Sequence, residues 1–273
     1  MRCATIVLVA VLIQCTYALR YIDIGNKHTA TLWIQSNFKG RELIRIDAGK
    51  TERYEIPDSG WISGMMWPKI GCDRTGQNCM FGQSQAPCPP GGCQPPSETK
   101  VEFTYHEINN PGHTFYDISL VDGYSMGVEI IPVKDGVPLQ QGTCIRTVCR
   151  MSVAQCPKNE KSGLGDLTFK AKDSSLVGCL SPCKKWSTAQ PFGKGLGEMD
   201  GDGRLLCCPH PKGPINGKNP VSAEECRRGP VVQTEYVKLV RRICPTAYSY
   251  AFDDVNGSHD CPPTTNFVVN FFS

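Results

Sequence analysis

Two residue types in this sequence of 273 residues have chemistry to offer: carboxylates on strand-like stretches and an unusual number of cysteines. In Val101-Glu102-Phe103-Thr104-Tyr105, period-two alternation puts Glu102 on one side with Thr104 and His106, opposite Phe103 and Tyr105. In the stretch 114–120, Asp117 shares a side with Phe115 and Ser119, opposite Tyr116, Ile118 and Leu120. Both acids avoid the more apolar side. Paired carboxylates are what glycoside cleavage needs, one protonating the leaving oxygen while the other activates water or attacks directly. The same groups hydrogen-bond sugar hydroxyls without any shift in pKa. Acids facing solvent from a sheet give this pattern too.

Of the sixteen cysteines, Cys3 and Cys15 precede residue 19, which leaves fourteen at 72, 79, 88, 93, 144, 149, 156, 179, 183, 207, 208, 226, 244 and 261. An even count behind a secretory leader implies a disulfide framework. Zinc is the rival use, but CxxC pairs with matching partners are missing. Adjacent Cys207 and Cys208 must diverge to separate partners, because a bond between them would close a strained ring.

Other chemistry is weaker. Glu198-Met199-Asp200-Gly201-Asp202-Gly203 is similar to the opening of a calcium loop, yet its twelfth position is Pro209 in place of an acid. The five histidines assemble no catalytic set, and His106 near Glu102 reads as a surface histidine. Tyr105, Tyr116 and Tyr124 are the aromatics able to stack on sugar rings. Asn256-Gly257-Ser258 is a glycosylation sequon. No cofactor motif and no metal site emerge.

The elements that must position these groups are mostly strands. Residues 1–18 read as a signal peptide: Arg2, an apolar run at 6–13, then Thr16-Tyr17-Ala18 as the cleavage site. That run is far shorter than the ~20 residues needed to span a bilayer, and no later segment reaches that length. A secreted, extracellular and monomeric chain is expected. Removing Arg2 from 29 Lys and Arg leaves 28 against 26 Asp and Glu, and no basic block is present. Nucleic acid is therefore not an expected partner. Strands are predicted at 29–34, 42–46, 51–56, 101–105, 114–120, 125–133 (ending near Pro132) and 266–272, with a turn at Asn109-Asn110-Pro111-Gly112. One helix is predicted, 234–243, capped by Thr234 and carrying an apolar stripe of Tyr236, Leu239, Val240 and Ile243. Twelve glycines and prolines between Cys183 and Cys226 predict no regular structure there.

The fold class is mainly β. An antiparallel β-sandwich core spans 19–143 and 245–273, with a small disulfide-held loop at 72–93. A disulfide-rich satellite of loops and short helix spans 144–244.

Glu102-Phe103-Thr104 and the stretch from Phe115 to Tyr124 closely resemble a signature of thaumatin-like proteins, the group-five pathogenesis-related class. So do Gln155-Cys156-Pro157, the pair Cys207-Cys208, and the run from Cys244 to Asp253. The resemblance covers essentially the whole chain after the leader, and the shared order of the motifs makes it specific. The family usually has one more bridge; its two cysteines are replaced here by His28 and Phe272. The pairing the resemblance implies is Cys72–Cys79, Cys88–Cys93, Cys144–Cys261, Cys149–Cys244, Cys156–Cys179, Cys183–Cys207 and Cys208–Cys226. Loops 157–178, 184–206 and 209–225 are longer than in familiar members, and Gln85-Ala86-Pro87 departs from the pattern before Cys88.

The resemblance also implies an acidic cleft between sandwich and satellite, lined by Glu102, Asp117, Asp122 and Asp253 with Lys69 at the family's basic position. It implies a secreted, antifungal defence protein that binds β-1,3-glucan there. Weak endo-β-1,3-glucanase activity is the alternative, with Glu102 as proton donor and Asp122 as base or nucleophile. A third reading is an inhibitor or interaction module acting on a protein target through the enlarged loops 184–225.

Overall fold

The computed structural model describes residues 19–210 and 219–273. The expected leader at 1–18 and part of the loop 209–225 lie outside the described residues.

One layer of the sandwich runs in the order β10 (Val137–Pro138), β9 (Gly127–Lys134), β15 (Asn266–Phe272), β1 (Arg20–Asn26) and β4 (Thr51–Ile56). The second layer is β14 (His259–Cys261), β7 (Thr114–Ser119), β6 (Lys100–Tyr105), β5 (Trp61–Ile70), β2 (Leu32–Ser36) and β3 (Leu43–Ile46). Alternation builds both layers. In β6 and β15 every second residue is buried, and the inward set includes Phe103, Tyr105, Phe267 and Phe271. Phe267 sits at the middle of the interface, 5.3 Å from the Phe103 ring and 4.8 Å from that of Tyr116. Fully burying such a side chain contributes about 1.5–3 kcal/mol.

Among the described strands the ladders are antiparallel except where β1 and β15 run parallel, Ile24 opposite Val269. Pro132 does not end its strand: β9 continues to Lys134, with Pro132 opposite Phe267. Lacking an N–H, it falls where neither β10 nor β11 (Thr147–Cys149) pairs, and its carbonyl accepts from the Leu139 amide. Because β11 lies on β9, the chain does not leave the sandwich at Cys144.

Beside the sandwich, β12 (Thr168–Lys170) and β13 (Leu176–Leu180) form a hairpin that pairs with β8 (Gly123–Tyr124). The stretch rich in glycine and proline is not irregular throughout. Short helices α1 (Pro182–Ser187), α2 (Gly203–Cys207) and α3 (Ala223–Arg228) occur there, with Ser181 and Ser222 capping the first and third. Cys183–Cys207 ties α1 to α2, and Cys208–Cys226 ties α2 to α3. These crosslinks offset the ordering entropy that helices this short cannot recover alone. Cys208 takes a left-handed conformation after Cys207, which turns the adjacent sulfurs to different partners. The remaining bridges are Cys72–Cys79, Cys88–Cys93, Cys144–Cys261, Cys149–Cys244 and Cys156–Cys179.

The helix expected from periodicity is α4 (Glu235–Ile243), with the Thr234 hydroxyl accepting from the Val237 amide at 3.2 Å. The buried Glu160 carboxylate adds to this, accepting from the amides of Glu235 at 3.0 Å and Tyr236 at 2.8 Å. A negative group at that end also suits the helix dipole. A last short helix, α5 (Asp254–Gly257), precedes β14. Among the described residues no helix is long and apolar enough to cross a membrane.

Candidate functional site

The register of the second sheet makes the site. Met65 on β5 lies opposite Glu102 on β6, and Glu102 lies opposite Asp117 on β7. One row of side chains therefore crosses three strands on the face away from the sandwich core, and two carboxylates stand side by side in it. The next row holds Lys100 opposite Ser119. The segment after Cys244 closes this face: Tyr248 bonds backbone to backbone with β7, its amide donating to Ile118 and its carbonyl accepting from Leu120. Together these elements line a groove of about 370 Å³ that includes Lys100, Glu102, Asp117, Asp122, Tyr248 and Asp254.

The acids in the groove have opposite environments. Burial raises the Glu102 carboxyl above its ordinary range, and Lys100 and a Ser119 hydrogen bond only partly counter this. Asp117 is raised further, by burial and then by the neighbouring Glu102 charge, and its buried Oδ1 has no hydrogen-bond partner. Asp122 ends below its ordinary range. Burial opposes its ionisation, but Lys100 binds Oδ2, and Lys184 on α1 lies 3.3 Å from Oδ1. The groove thus offers a proton-retaining pair beside a carboxylate fixed in its charged form.

Asp122 is positioned by the residue after it. Gly123 has φ +152°, and a Cβ there would meet the Cys179 carbonyl oxygen at 2.2 Å and the Ser97 Cα at 2.8 Å. Only glycine lets the chain pass between β13 and the irregular segment that leads into β6. The carbonyl of Asp122 then accepts from the Ser181 amide, so the α1 cap and the acid share one support.

Residues 26–273 match the model of the thaumatin family. The chain belongs to that family. A Prunus avium protein named glucan endo-1,3-beta-glucosidase is 30% identical over 221 residues, covering 77% of this chain and 71% of the relative. Thaumatin-like protein 1a of Malus domestica is 30% identical over 244 residues, covering 87% and 80%. Among solved structures, a laminaripentaose-producing beta-1,3-glucanase in complex with laminaritetraose superposes with a TM-score of 0.54 at 14% identity, over 94% of this chain and 99% of that one. At that identity the likeness is one of fold.

In this thaumatin-family chain the expected site residues divide. Glu102, Asp117 and Asp122 come together in the groove. Asp253 does not line it. It is 2% exposed and accepts hydrogen bonds from Arg241 at 2.9 Å, Asn256 at 2.7 Å, and Ser249. Asp253 thus clamps the turn, and its neighbour Asp254 faces the groove, where its Oδ1 accepts from the Tyr248 hydroxyl at 3.0 Å. Lys69 is also absent from the groove lining. It shares a face with Met65 but is 1% exposed, because the 72–93 loop roofs it. Gly82 makes that roof possible: at φ +92° a Cβ would meet the Pro68 carbonyl oxygen at 2.5 Å. The cation that reaches the groove is Lys100, 5.8 Å above the Trp67 ring.

Tyr105, Tyr116 and Tyr124 are all at most 1% exposed and pack in the core, so none is available to stack on a sugar. Phe115, cross-strand from Thr104, is the aromatic that stays exposed near this face. The Asn256 side-chain amide of the sequon is engaged with Asp253. Among the described residues, the group close enough to hold a metal ion is Cys183, Glu198 and Cys207, but its two sulfurs are bonded to each other. Sequence reasoning missed Lys100, Lys184 and Asp254. Lys100 was within reach of the alternation argument, two residues before Glu102 on the same strand. Lys184 carried no signal, since it comes from a helix in another region.

Proposed function

We propose that this chain is a secreted defence protein that binds β-1,3-glucan, the fungal-type wall polymer, along the groove over β5, β6 and β7. The observation that carries this reading is the in-register pair of Glu102 and Asp117 on the floor of an open groove. Raised carboxyls both donate to and accept from sugar hydroxyls in mildly acidic surroundings, and Lys100 and Tyr248 add further polar contacts. The disulfide density and the relative named as a glucan endo-1,3-beta-glucosidase support an extracellular role on glucan. Retention on insoluble β-1,3-glucan tests it. The Glu102→Gln, Asp117→Asn double variant is expected to lose most of the retention; unchanged retention removes the groove from the account.

A second reading, slow endo-hydrolysis, is favoured by the two kinds of carboxyl in one groove. Glu102, held above its ordinary range, suits a proton donor, while Asp122, held ionised, suits the opposite role. Release of reducing sugar from laminarin distinguishes it from binding alone. Turnover no greater than that of Glu102→Gln rejects hydrolysis.

A further inference from the structure

A second cavity lies away from the acidic groove and shares no lining residue with it. It has a volume of about 550 Å³, between the 72–93 loop and the β12–β13 hairpin. Sites for small molecules usually span about 300–1,000 Å³ with mostly apolar walls and few polar groups. Met80, Pro89 and Pro90 form one wall, and Phe169 and Phe192 form the other. Met80 is 36% exposed and Phe192 37%, so two large apolar side chains are left in contact with water at one place.

The walls are fixed in advance. Cys72–Cys79 and Cys88–Cys93 hold the first. On the second, the Phe169 ring packs edge-on against Phe192 at 5.2 Å and at a tilt against Phe81 at 5.9 Å. Its polar side chains are largely engaged already. Asn78 donates to Asp73 at 2.7 Å, and Gln94 donates to the carbonyls of Cys79 and Met80 at 2.9 and 3.0 Å. Asp173 accepts from the amide and hydroxyl of Ser175 within its own turn. Lys170 and Lys172 are different: both are exposed, and among the described residues neither side chain has an ion-pair or hydrogen-bond partner.

We propose that this cavity binds an apolar monocarboxylate, its body between Met80 and the two phenylalanines and its carboxylate on Lys170 and Lys172. Charge selects the class. Two cations against the single anion Asp173 leave one positive charge for a ligand to match. A phosphate monoester, at about −1.5 to −2, would exceed that single charge. A polysaccharide is a poor fit, because the walls present few free partners for its hydroxyls.

Calorimetry on the whole oxidised protein at low salt tests this, with octanoate and 2-naphthoate each set against the matching alcohol, 1-octanol or 2-naphthalenemethanol. Each acid that binds is expected to bind at least about tenfold more tightly than its alcohol. Lys170→Glu with Lys172→Glu should erase that preference while leaving retention on insoluble glucan unchanged. Phe192→Ser should weaken acid and alcohol alike, and Glu102→Gln should change neither. The two acids distinguish a chain-shaped from a ring-shaped body. No binding of either acid up to about 1 mM overturns the proposal. So do equal affinities for acid and alcohol, or loss of binding in Glu102→Gln. Both lysines are exposed, so the charge-reversed variant should fold, and an unchanged melting temperature verifies this.

Discussion

The sandwich and the disulfide-rich region are ordered by different physics. In the sandwich, residues far apart in sequence meet through backbone ladders and interdigitating apolar side chains, with Phe267 of the last strand against Phe103 and Tyr116. In the disulfide-rich region the helices are short and the strands few, so the four bridges Cys149–Cys244, Cys156–Cys179, Cys183–Cys207 and Cys208–Cys226 do much of that work. The groove is lined by residues of the sandwich spans alone, and Asp122 ties it to the disulfide-rich region by holding Lys100 of β6 and Lys184 of α1. Burial-ordered and bond-ordered parts respond to different insults, which makes the contrast testable.

The largest effect is expected from replacing Cys149 and Cys244 together by serine. That bridge closes a span of 95 residues, and its loss should cost about 4–5 kcal/mol by chain entropy. The melting temperature should fall, and protease should cut first within 150–243. Cleavage beginning in the sheets would contradict the division. Phe267→Ala attacks the other side and should cost about 4 kcal/mol by emptying the middle of the core. In denaturant melts its cost should persist after reduction of the disulfides, whereas that of the cysteine pair should vanish.

Asp122→Ala tests the join. It leaves mostly buried Lys100 without its main partner, at a cost of about 3 kcal/mol, and should weaken glucan retention too. The pH dependence has a definite sign. Asp122 is held below its unfolded value, so its contribution is present above the ordinary carboxylate range and is lost as pH falls through the depressed value. Asp117 is the mirror case. The folded state binds its proton more tightly than the unfolded chain, so its ionisation lowers stability as pH rises through the elevated value. Asp117→Asn should therefore stabilise at neutral pH, because it removes a charge that burial and the neighbouring Glu102 both disfavour. The gain should disappear below the ordinary carboxylate range. A variant equally stabilised at both ends of a pH series of urea melts would show that the effect is not ionisation.

Much of this arrangement is readable from local rules. Alternation at 101–105 and 114–120 sets which side Glu102 and Asp117 occupy, because side-chain direction in a strand depends on parity alone. The stripe of Tyr236, Leu239, Val240 and Ile243, together with Thr234, marks α4 for an equally local reason. Lys69 and Asp253 show where such rules stop. Both have the residue type expected of a groove, yet one lies under the 72–93 loop and the other within a turn, and neither cover is encoded at the position it hides.

The strand faces, the main helix and its cap, the even cysteine set and the membership implied by the order of motifs are all legible in the chain before it folds. These depend on neighbours a few residues away or on covalent chemistry. That Lys100 and Lys184 neutralise Asp122, that Asp254 lines the groove in place of Asp253, and that an apolar cavity opens beside Lys170 and Lys172 follows from tertiary contacts alone. Ion pairing and desolvation depend on which distant segments come within a few ångströms, and that distance exists only once the chain has folded.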